Sequence, residues 1–269
     1  MSEFVHTVST SEVEMTYIKF GTGKKTFVII PGLSIHSVMS LADAVATAYQ
    51  DFAADYTVYL FDRAKNLHEG YTIRDIAHDT ASAMMALNLT NTDIFGASQG
   101  AMATIWLAID YPQLVHSMVL GSTLAKPNET FTKVGKRWIE LAEKRDERGL
   151  LENFVDMVYS QKTLEKYRDA MIAANVGITE AEYERFLILA HACLDFDVYD
   201  QLGAIHCPVL VLGSKGDRVV TAEGSRQIAE KLRCAIYLYD ASYGHAVYDE
   251  APDYKKRILN FLSSCHKVS

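Results

Sequence analysis

Short apolar runs alternate with longer amphipathic stretches along most of the chain. The runs are rich in β-branched and aromatic residues, and each ends at a glycine, a proline or an aspartate. They lie at residues 26–30, 56–61, 93–95, 117–120, 208–212 and 235–239. Strands that are covered on both faces of a parallel sheet have this pattern. Residues 12–20 instead alternate in part between polar and apolar side chains, which predicts an antiparallel strand.

Helical spacing fills the gaps between these runs. The predicted helices lie at residues 38–54, 73–87, 99–111, 222–232 and 253–262. The third ends before Pro112, where a helix is expected to stop. Because strand and helix alternate, the sequence predicts an α/β fold with a mostly parallel, doubly wound sheet.

One long stretch departs from this alternation. Residues 124–202 contain no convincing strand, whereas residues 138–160 and 178–196 have helical spacing. We therefore expect a helical insertion at residues 124–202 within one α/β core, which residues 1–123 and 203–269 build. A length of 269 residues fits one domain with an insertion, and it also fits two domains.

Composition restricts the class of protein. The chain is 49% hydrophobic and 22% charged, as in ordinary globular proteins, and its formal net charge of -8 argues against a nucleic-acid partner. No apolar run approaches the roughly 18 residues that span a bilayer, and no signal peptide is recognisable at the start, so we expect no membrane partner and a cytoplasmic location. The four cysteines are widely spaced, which favours reduced thiols and gives no pattern for a metal site.

A nucleophile motif lies between a predicted strand and a predicted helix. Residues 96–100 read Gly-Ala-Ser-Gln-Gly, and a serine on such a strand-to-helix turn has its hydroxyl clear of the sheet. The flanking glycines allow a tight turn, and the helix N-terminus offers N–H groups to a developing oxyanion. We predict that Ser98 is a catalytic nucleophile. The alternative is a turn that needs only flexible glycines.

A serine nucleophile needs a base and an orienting carboxylate. His245 lies in a loop after the run at 235–239, and Asp217 lies after the run at 208–212, so both follow the carboxyl ends of strands, where ligand chemistry gathers in α/β sheets. The order Ser98, Asp217, His245 is that of an α/β-hydrolase triad. A surface histidine and a turn aspartate are the alternatives, and Asp240 is a rival acid.

An oxyanion hole needs two N–H donors. The residue after the nucleophile, Gln99, predicts one, and the loop after residues 26–30 predicts the other at the Leu33 amide. Gly32 would let this loop turn inward, although Pro31 and Gly32 also fit a plain turn.

Three segments resemble the α/β-hydrolase superfamily. Residues 96–123 are similar to its nucleophile strand, helix and next strand, residues 207–220 to its acid turn, and residues 243–252 to its histidine loop. The resemblance implies an eight-stranded sheet with a helical cap (lid) at residues 124–202. The chain departs from many relatives at Pro31, where His is common, at Ala101, where glycine is common, and in a loop at residues 62–70 that lacks the usual glycines.

These features predict a serine hydrolase that cleaves a small ester, thioester or lactone by two-step acyl transfer, with no metal or organic cofactor. We expect the insertion to form part of the substrate pocket, with His36, Trp138 and Tyr243 as candidate lining residues. We expect most of its aromatic residues to pack in its own core and about a third of them to line the pocket: Phe131, Trp138, Phe154, Tyr159, Tyr183, Phe186 and Phe196. Amide cleavage, C–C cleavage and acyl transfer remain open, as do a non-catalytic ligand-binding protein and an insertion that docks a partner. The sequence does not indicate an oligomeric state.

Overall fold

Eight strands form one sheet in the computed structural model, which describes residues 2–267. The strands are β1 (Val5–Ser9), β2 (Glu14–Phe20), β3 (Lys25–Ile30), β4 (Tyr56–Ala64), β5 (Thr92–Ala97), β6 (Val115–Gly121), β7 (Val209–Ser214) and β8 (Ala235–Tyr239). Their order across the sheet is β1-β2-β4-β3-β5-β6-β7-β8. The β1–β2 and β2–β4 pairs are antiparallel, and all the other pairs are parallel. The predicted α/β fold with a mostly parallel, eight-stranded sheet is confirmed.

Ten α-helices connect and cover the strands within the described residues. They are α1 (Ala42–Ala48), α2 (Ile73–Ala86), α3 (Gln99–Asp110), α4 (Glu129–Glu143), α5 (Glu147–Val158), α6 (Gln161–Ala173), α7 (Glu180–Leu194), α8 (Thr221–Leu232), α9 (Val247–Glu250) and α10 (Tyr254–Cys265). None of the helices in this part of the chain is both long and apolar enough to cross a bilayer.

The sheet is buried on both faces because successive side chains of a strand point to opposite sides. In β3, Val28 and Ile30 join an apolar cluster with α2, α3 and α8, whereas Phe27 and Ile29 join a second cluster with α1 and α10. This double burial explains why the strands are apolar almost throughout, and it leaves the strand ends as the places where polar groups gather.

Two sequence predictions differ from the structure at the N-terminal side. Strand β1 was not predicted, because only one of its five side chains is buried and the segment VHTVS therefore has little apolar signal. The single helix expected at residues 38–54 is wrong: 3-10 turns at Val38–Leu41 and Gln50–Phe52 flank the short α1. Phe52 is buried and stacks on Phe27 at 4.7 Å between ring centroids, so this contact directs the last turn into the core.

Along the chain, helices α4 to α7 follow β6 and precede β7, in the stretch where the sequence predicts no strand. The helical pattern at residues 138–160 is interrupted where Arg145 has a positive φ of 52° and the Asp146 side chain caps α5 at Gly149 N, 3.0 Å away. Buried side chains of these helices belong to the same apolar cluster as α2 and α3. The division into a core and a cap remains a prediction.

Candidate active site

Ser98 occupies a strained turn between β5 and α3. Its backbone has φ 52° and ψ −118°, a region that residues with a Cβ rarely adopt, and its N–H donates to Gly121 O at 2.8 Å. The two glycines of the motif are needed for space. A Cβ on Gly100 would lie 1.9 Å from Ile30 O, and one on Gly96 would lie 2.4 Å from Thr104 Oγ1. Close packing of β3, β5 and α3 therefore holds Ser98 in this conformation.

His245 connects Ser98 to Asp217 by two hydrogen bonds. His245 Nε2 lies 2.9 Å from Ser98 Oγ, and His245 Nδ1 lies 2.8 Å from Asp217 Oδ2. Both the histidine and the aspartate are buried. The three residues proposed from the sequence thus lie in one hydrogen-bonded row at the carboxyl ends of β5, β7 and β8.

The Asp217 carboxylate is held in its charged form. Its Oδ1 accepts hydrogen bonds from Val219 N at 2.8 Å and Val220 N at 3.0 Å. Burial would raise the pKa of the Asp217 carboxyl, but the His245 ring and these two amides outweigh burial and hold its pKa below the ordinary value. A carboxylate that stays ionised beside Nδ1 orients the ring so that Nε2 faces the serine hydroxyl.

The rival acid Asp240 has other partners. Its Oδ1 accepts hydrogen bonds from the N–H and hydroxyl of Ser242, which lower the pKa of this exposed carboxyl. This local turn directs the Asp240 side chain to its own loop, and the structure brings Asp217 to His245 instead.

The two proposed oxyanion donors lie on either side of Ser98. Among the hydrogen bonds within residues 2–267, neither the Leu33 amide nor the Gln99 amide donates to a protein acceptor. Gly32 is close to Ser98, since a Cβ added there would lie 3.3 Å from Ser98 Cβ. Two uncommitted N–H groups beside a serine hydroxyl suit a developing negative charge on oxygen.

A buried arginine holds the loop that carries Leu33. Arg63 Nη2 donates to Pro31 O at 2.6 Å and reaches Gly32 O at 3.5 Å. Because the C=O and N–H of one trans peptide point in opposite directions, a guanidinium at the Gly32 carbonyl turns the Leu33 N–H away from itself. Burial lowers the pKa of Arg63 to about 10, so the side chain stays cationic at neutral pH.

The side chain of Gln99 links this arginine to the helical insertion. Its Oε1 accepts from Arg63 Nε at 3.2 Å and Nη2 at 3.0 Å, and its Nε2 donates to Leu189 O at 2.8 Å on α7. A second bond joins the same helix to the end of β4, where Arg185 donates to Asp62 at 2.6 Å. The insertion is therefore fixed to the residues around Ser98.

A second link ties the insertion to the histidine loop. Glu250 accepts from Gly244 N at 2.7 Å and from Ser160 N at 2.8 Å, and Ala246 N donates to Val158 O at 2.9 Å. A Cβ on Gly244 would lie 2.7 Å from Ser160 N, so glycine is required for this close approach. The loop that positions His245 thus rests on the junction between α5 and α6.

His36 bonds to the insertion through both of its ring nitrogens. Nδ1 lies 2.7 Å from Glu182 Oε1, and Nε2 lies 2.8 Å from Asn175 O. Both partners are acceptors, so both contacts are hydrogen bonds when the two ring nitrogens are protonated. Burial would lower the pKa of His36, but the Asn175 carbonyl and the Glu182 carboxylate together raise it.

The other proposed pocket residues are placed less centrally. Trp138 is buried within the insertion and packs on Phe154 at 4.7 Å between ring centroids. Tyr243 packs on Tyr239 and lines a surface cavity of about 570 Å³ with Ser160 and Arg218. Most of the insertion aromatics named above are buried side chains: Phe131, Trp138, Tyr183, Phe186 and Phe196. A contact of any of them with substrate remains a prediction.

Arg63 and Glu250 are site residues that the sequence did not indicate. Each acts through partners far along the chain, at Gln99 and at Ser160 respectively. The dipeptide Asp62-Arg63 at the end of an apolar run was visible, but nothing in the local pattern shows that the guanidinium turns inward.

The chain matches the family model described as alpha/beta hydrolase fold over residues 25–252. The chain belongs to this alpha/beta hydrolase family. The matched segment contains the row formed by Ser98, Asp217 and His245.

Similar proteins within the alpha/beta hydrolase family are hydrolases by name. The chain is 28% identical over 229 residues to "Putative carbamate hydrolase RutD" of Pseudomonas syringae pv. syringae (strain B728a), covering 78% of this chain and 85% of that protein. It is 22% identical over 237 residues to 3-oxoadipate enol-lactonase 2 of Acinetobacter baylyi (strain ATCC 33305 / BD413 / ADP1), covering 85% of each. A solved structure, MGS-M2, an alpha/beta hydrolase enzyme from a Medee basin deep-sea metagenome library, superposes with a TM-score of 0.85 at 21% identity, covering 96% of this chain and 97% of that one. Hydrolase activity on this fold follows from these relationships.

Proposed function

We propose that this hydrolase uses Ser98 as a nucleophile to cleave a small ester or lactone by two-step acyl transfer. The observation that carries the proposal is the hydrogen-bonded row from Ser98 through His245 to Asp217 on a strained strand-to-helix turn. Such a row is the arrangement in which a weakly nucleophilic hydroxyl gains a base and the base gains an orienting carboxylate.

In the first step His245 Nε2 takes the proton of Ser98 Oγ as the oxygen attacks the substrate carbonyl. The Leu33 and Gln99 amides stabilise the oxyanion, and the imidazolium gives its proton to the leaving oxygen. In the second step His245 takes a proton from water, hydroxide attacks the acyl-enzyme, and the acid leaves as Ser98 regains its proton. Asp217 stays ionised throughout.

We propose that the helical insertion at residues 124–202 caps this site and sets substrate size. Support comes from two sets of contacts. His36 joins the insertion to the loop after β3 that carries Leu33, and Glu250 joins the insertion to the histidine loop. The enol-lactonase among the relatives favours a small cyclic or linear ester as the acyl substrate.

A carbamate or amide is the second candidate substrate. Six of eight similar proteins carry the carbamate hydrolase name, at 22–28% identity. The same nucleophile serves both classes, because His245 Nε2 can protonate a leaving nitrogen as well as a leaving oxygen.

A substrate panel with a matched pair of variants tests the proposal. Purified protein is assayed with short p-nitrophenyl esters, small lactones, and aryl carbamates and amides. We expect turnover of at least one class, falling by about 10⁴-fold or more in Ser98→Ala. The exposed Ser40→Ala is the control and keeps wild-type rates. A folded wild type that turns over none of these substrates, or a Ser98→Ala that keeps its rate, contradicts the proposal.

A further inference from the structure

Two histidines and an aspartate lie close together at the amino ends of the central strands, opposite the candidate active site. Asp93 lies near the start of β5, His116 near the start of β6, and His266 directly after α10. One ligand atom from each can be chosen so that all three lie within 4.8 Å of one another. The sequence showed no metal pattern here because the three residues lie far apart along the chain.

One ring nitrogen in this group has no hydrogen-bond partner among the described residues. His116 Nε2 is buried and bonds to no other group within residues 2–267, although buried ring nitrogens are normally paired. Its ring stacks on the His266 ring with 4.5 Å between centroids. An unpaired imidazole nitrogen beside a second imidazole and a carboxylate is a set of ligands that zinc and related ions prefer.

The carboxylate in this group is oriented as metal ligands are. Asp93 is almost fully buried, and its Oδ1 accepts from Ser117 Oγ at 2.6 Å. Its Oδ2 accepts from Tyr56 OH at 3.0 Å and from His266 Nε2 at 2.7 Å. Hydrogen bonds that orient a ligating carboxylate are a regular part of protein metal sites.

We propose that Asp93, His116 and His266 bind one divalent transition-metal ion, with Zn²⁺ as the expected occupant. Binding replaces the contact between Asp93 Oδ2 and His266 Nε2 by two bonds to the metal. The proton on His266 Nε2 leaves, either to solvent or to Nδ1, while His116 Nε2 brings a free lone pair. The metal supplies the positive charge that a buried carboxylate needs.

The position of the site argues for a structural role. Ser98 lies five positions after Asp93, just beyond the extended β5, which is roughly 16 Å at about 3.3 Å per residue, so the ion cannot reach the acyl carbon. It would instead fasten the end of α10 to the starts of β5 and β6. Cys265 lies close by: burial, and the nearby charge of Asp93, raise the pKa of its thiol.

Metal titration of the full chain tests this site. Protein freed of metal with a chelator is titrated with Zn²⁺ against a chromophoric chelator, and with Co²⁺ while its visible spectrum is recorded. We expect one ion per chain and a rise in Tm of about 5 °C at saturating Zn²⁺. His116→Gln should weaken Zn²⁺ affinity by about 100-fold or more and abolish the Co²⁺ bands.

Two further variants keep the result decisive. His191→Gln removes an exposed histidine on α7 and should bind Zn²⁺ as the wild type does. His266→Gln alters the partly exposed end of α10 and provides a ligand variant if His116→Gln does not fold. Wild-type protein that takes up no stoichiometric metal overturns the proposal, and so do ligand variants that match His191→Gln.

Discussion

The two ends of the central strands each carry a His–Asp pair with a buried aspartate, but the surroundings of the two pairs differ. At the carboxyl end, His245 lies 2.8 Å from Asp217, and at the amino end His266 lies 2.7 Å from Asp93. Backbone amides hold the first carboxylate, whereas hydroxyls of Ser117 and Tyr56 hold the second.

The two pairs differ in the chemical groups that lie next to them. His245 Nε2 faces the hydroxyl of Ser98, which sits on a strained turn beside uncommitted amides. The other pair faces the unpaired Nε2 of His116, with no such turn beside it. A His–Asp pair therefore does not define a hydrolase site by itself. At one end, Ser98 and the uncommitted amides beside it suit acyl transfer, and at the other end a second imidazole suits metal binding.

Neutralising each carboxylate in turn gives the largest contrast between the two ends. Asp217→Asn should lower kcat by about 10⁴-fold, because an amide at this position favours the wrong tautomer of His245. Asp93→Asn should leave kcat unchanged and lower Tm, because it disturbs only the opposite edge. Both are measured by ester turnover and thermal unfolding.

Asp240→Asn serves as the control for the acid at the carboxyl end. Its side chain bonds to Ser242, so we expect wild-type turnover. If Asp240→Asn were the inactive variant and Asp217→Asn the active one, the assignment of the acid would be wrong.

Replacing Arg63, which contacts the loop that carries Leu33, should have a smaller effect on kcat. Arg63→Met removes the donors to Pro31 O and Gln99 Oε1, so we expect kcat to fall by about 10- to 100-fold with little change in KM. Arg63→Lys should restore part of the loss. Arg185→Met, which breaks the bond to Asp62, is the control for loss of a partly buried cation nearby. Equal losses in kcat for Arg63→Met and Arg185→Met would argue against a positioning role.

The smallest expected effect concerns the link between His36 and Glu182. The pKa of His36 is higher in the folded protein than in the unfolded chain. The stabilisation from the link to Glu182 is therefore complete at pH values below the unfolded pKa of about 6.5, and it is lost as pH rises through the folded pKa. Burial would raise the pKa of Glu182, but His36 and Thr179 lower it to about 2. Protonation of this carboxyl at pH values below its unfolded pKa of about 4.3 therefore progressively removes its contribution to stability.

Thermal unfolding of wild type and His36→Gln across this range measures the link. Both side chains are about a quarter exposed, so the link contributes at most about 1 kcal/mol. The difference in Tm should be largest near pH 5–6 and shrink by pH 9. A difference that stays constant with pH would show that the ring acts by packing alone.

Most of the fold was predictable because the strands are buried on both faces. Runs such as TFVII in β3 carry their own apolar signal, whereas β1 has one buried side chain and none of that signal. The turn before Phe52 depends on a contact with Phe27, which no local pattern encodes.

The candidate site was predictable where chemistry is local in sequence. Ser98 could be recognised from its strand, glycines and helix, because these features are adjacent. The sequence favoured Asp217 but left Asp240 as a rival, since both follow strands and the contacts that distinguish them, to His245 and to Ser242, are not visible along the chain. Arg63 and His116 depend on partners brought together by the sheet, so neither had a signal along the chain.

Active-site labelling shows whether Ser98 is the nucleophile. Folded protein is treated with a fluorophosphonate, digested, and analysed by mass spectrometry alongside Ser98→Ala. We expect one adduct per chain, on the peptide containing Ser98, together with loss of ester turnover in step with labelling. Turnover that persists after Ser98 is fully modified, or an adduct confined to another residue, would contradict it.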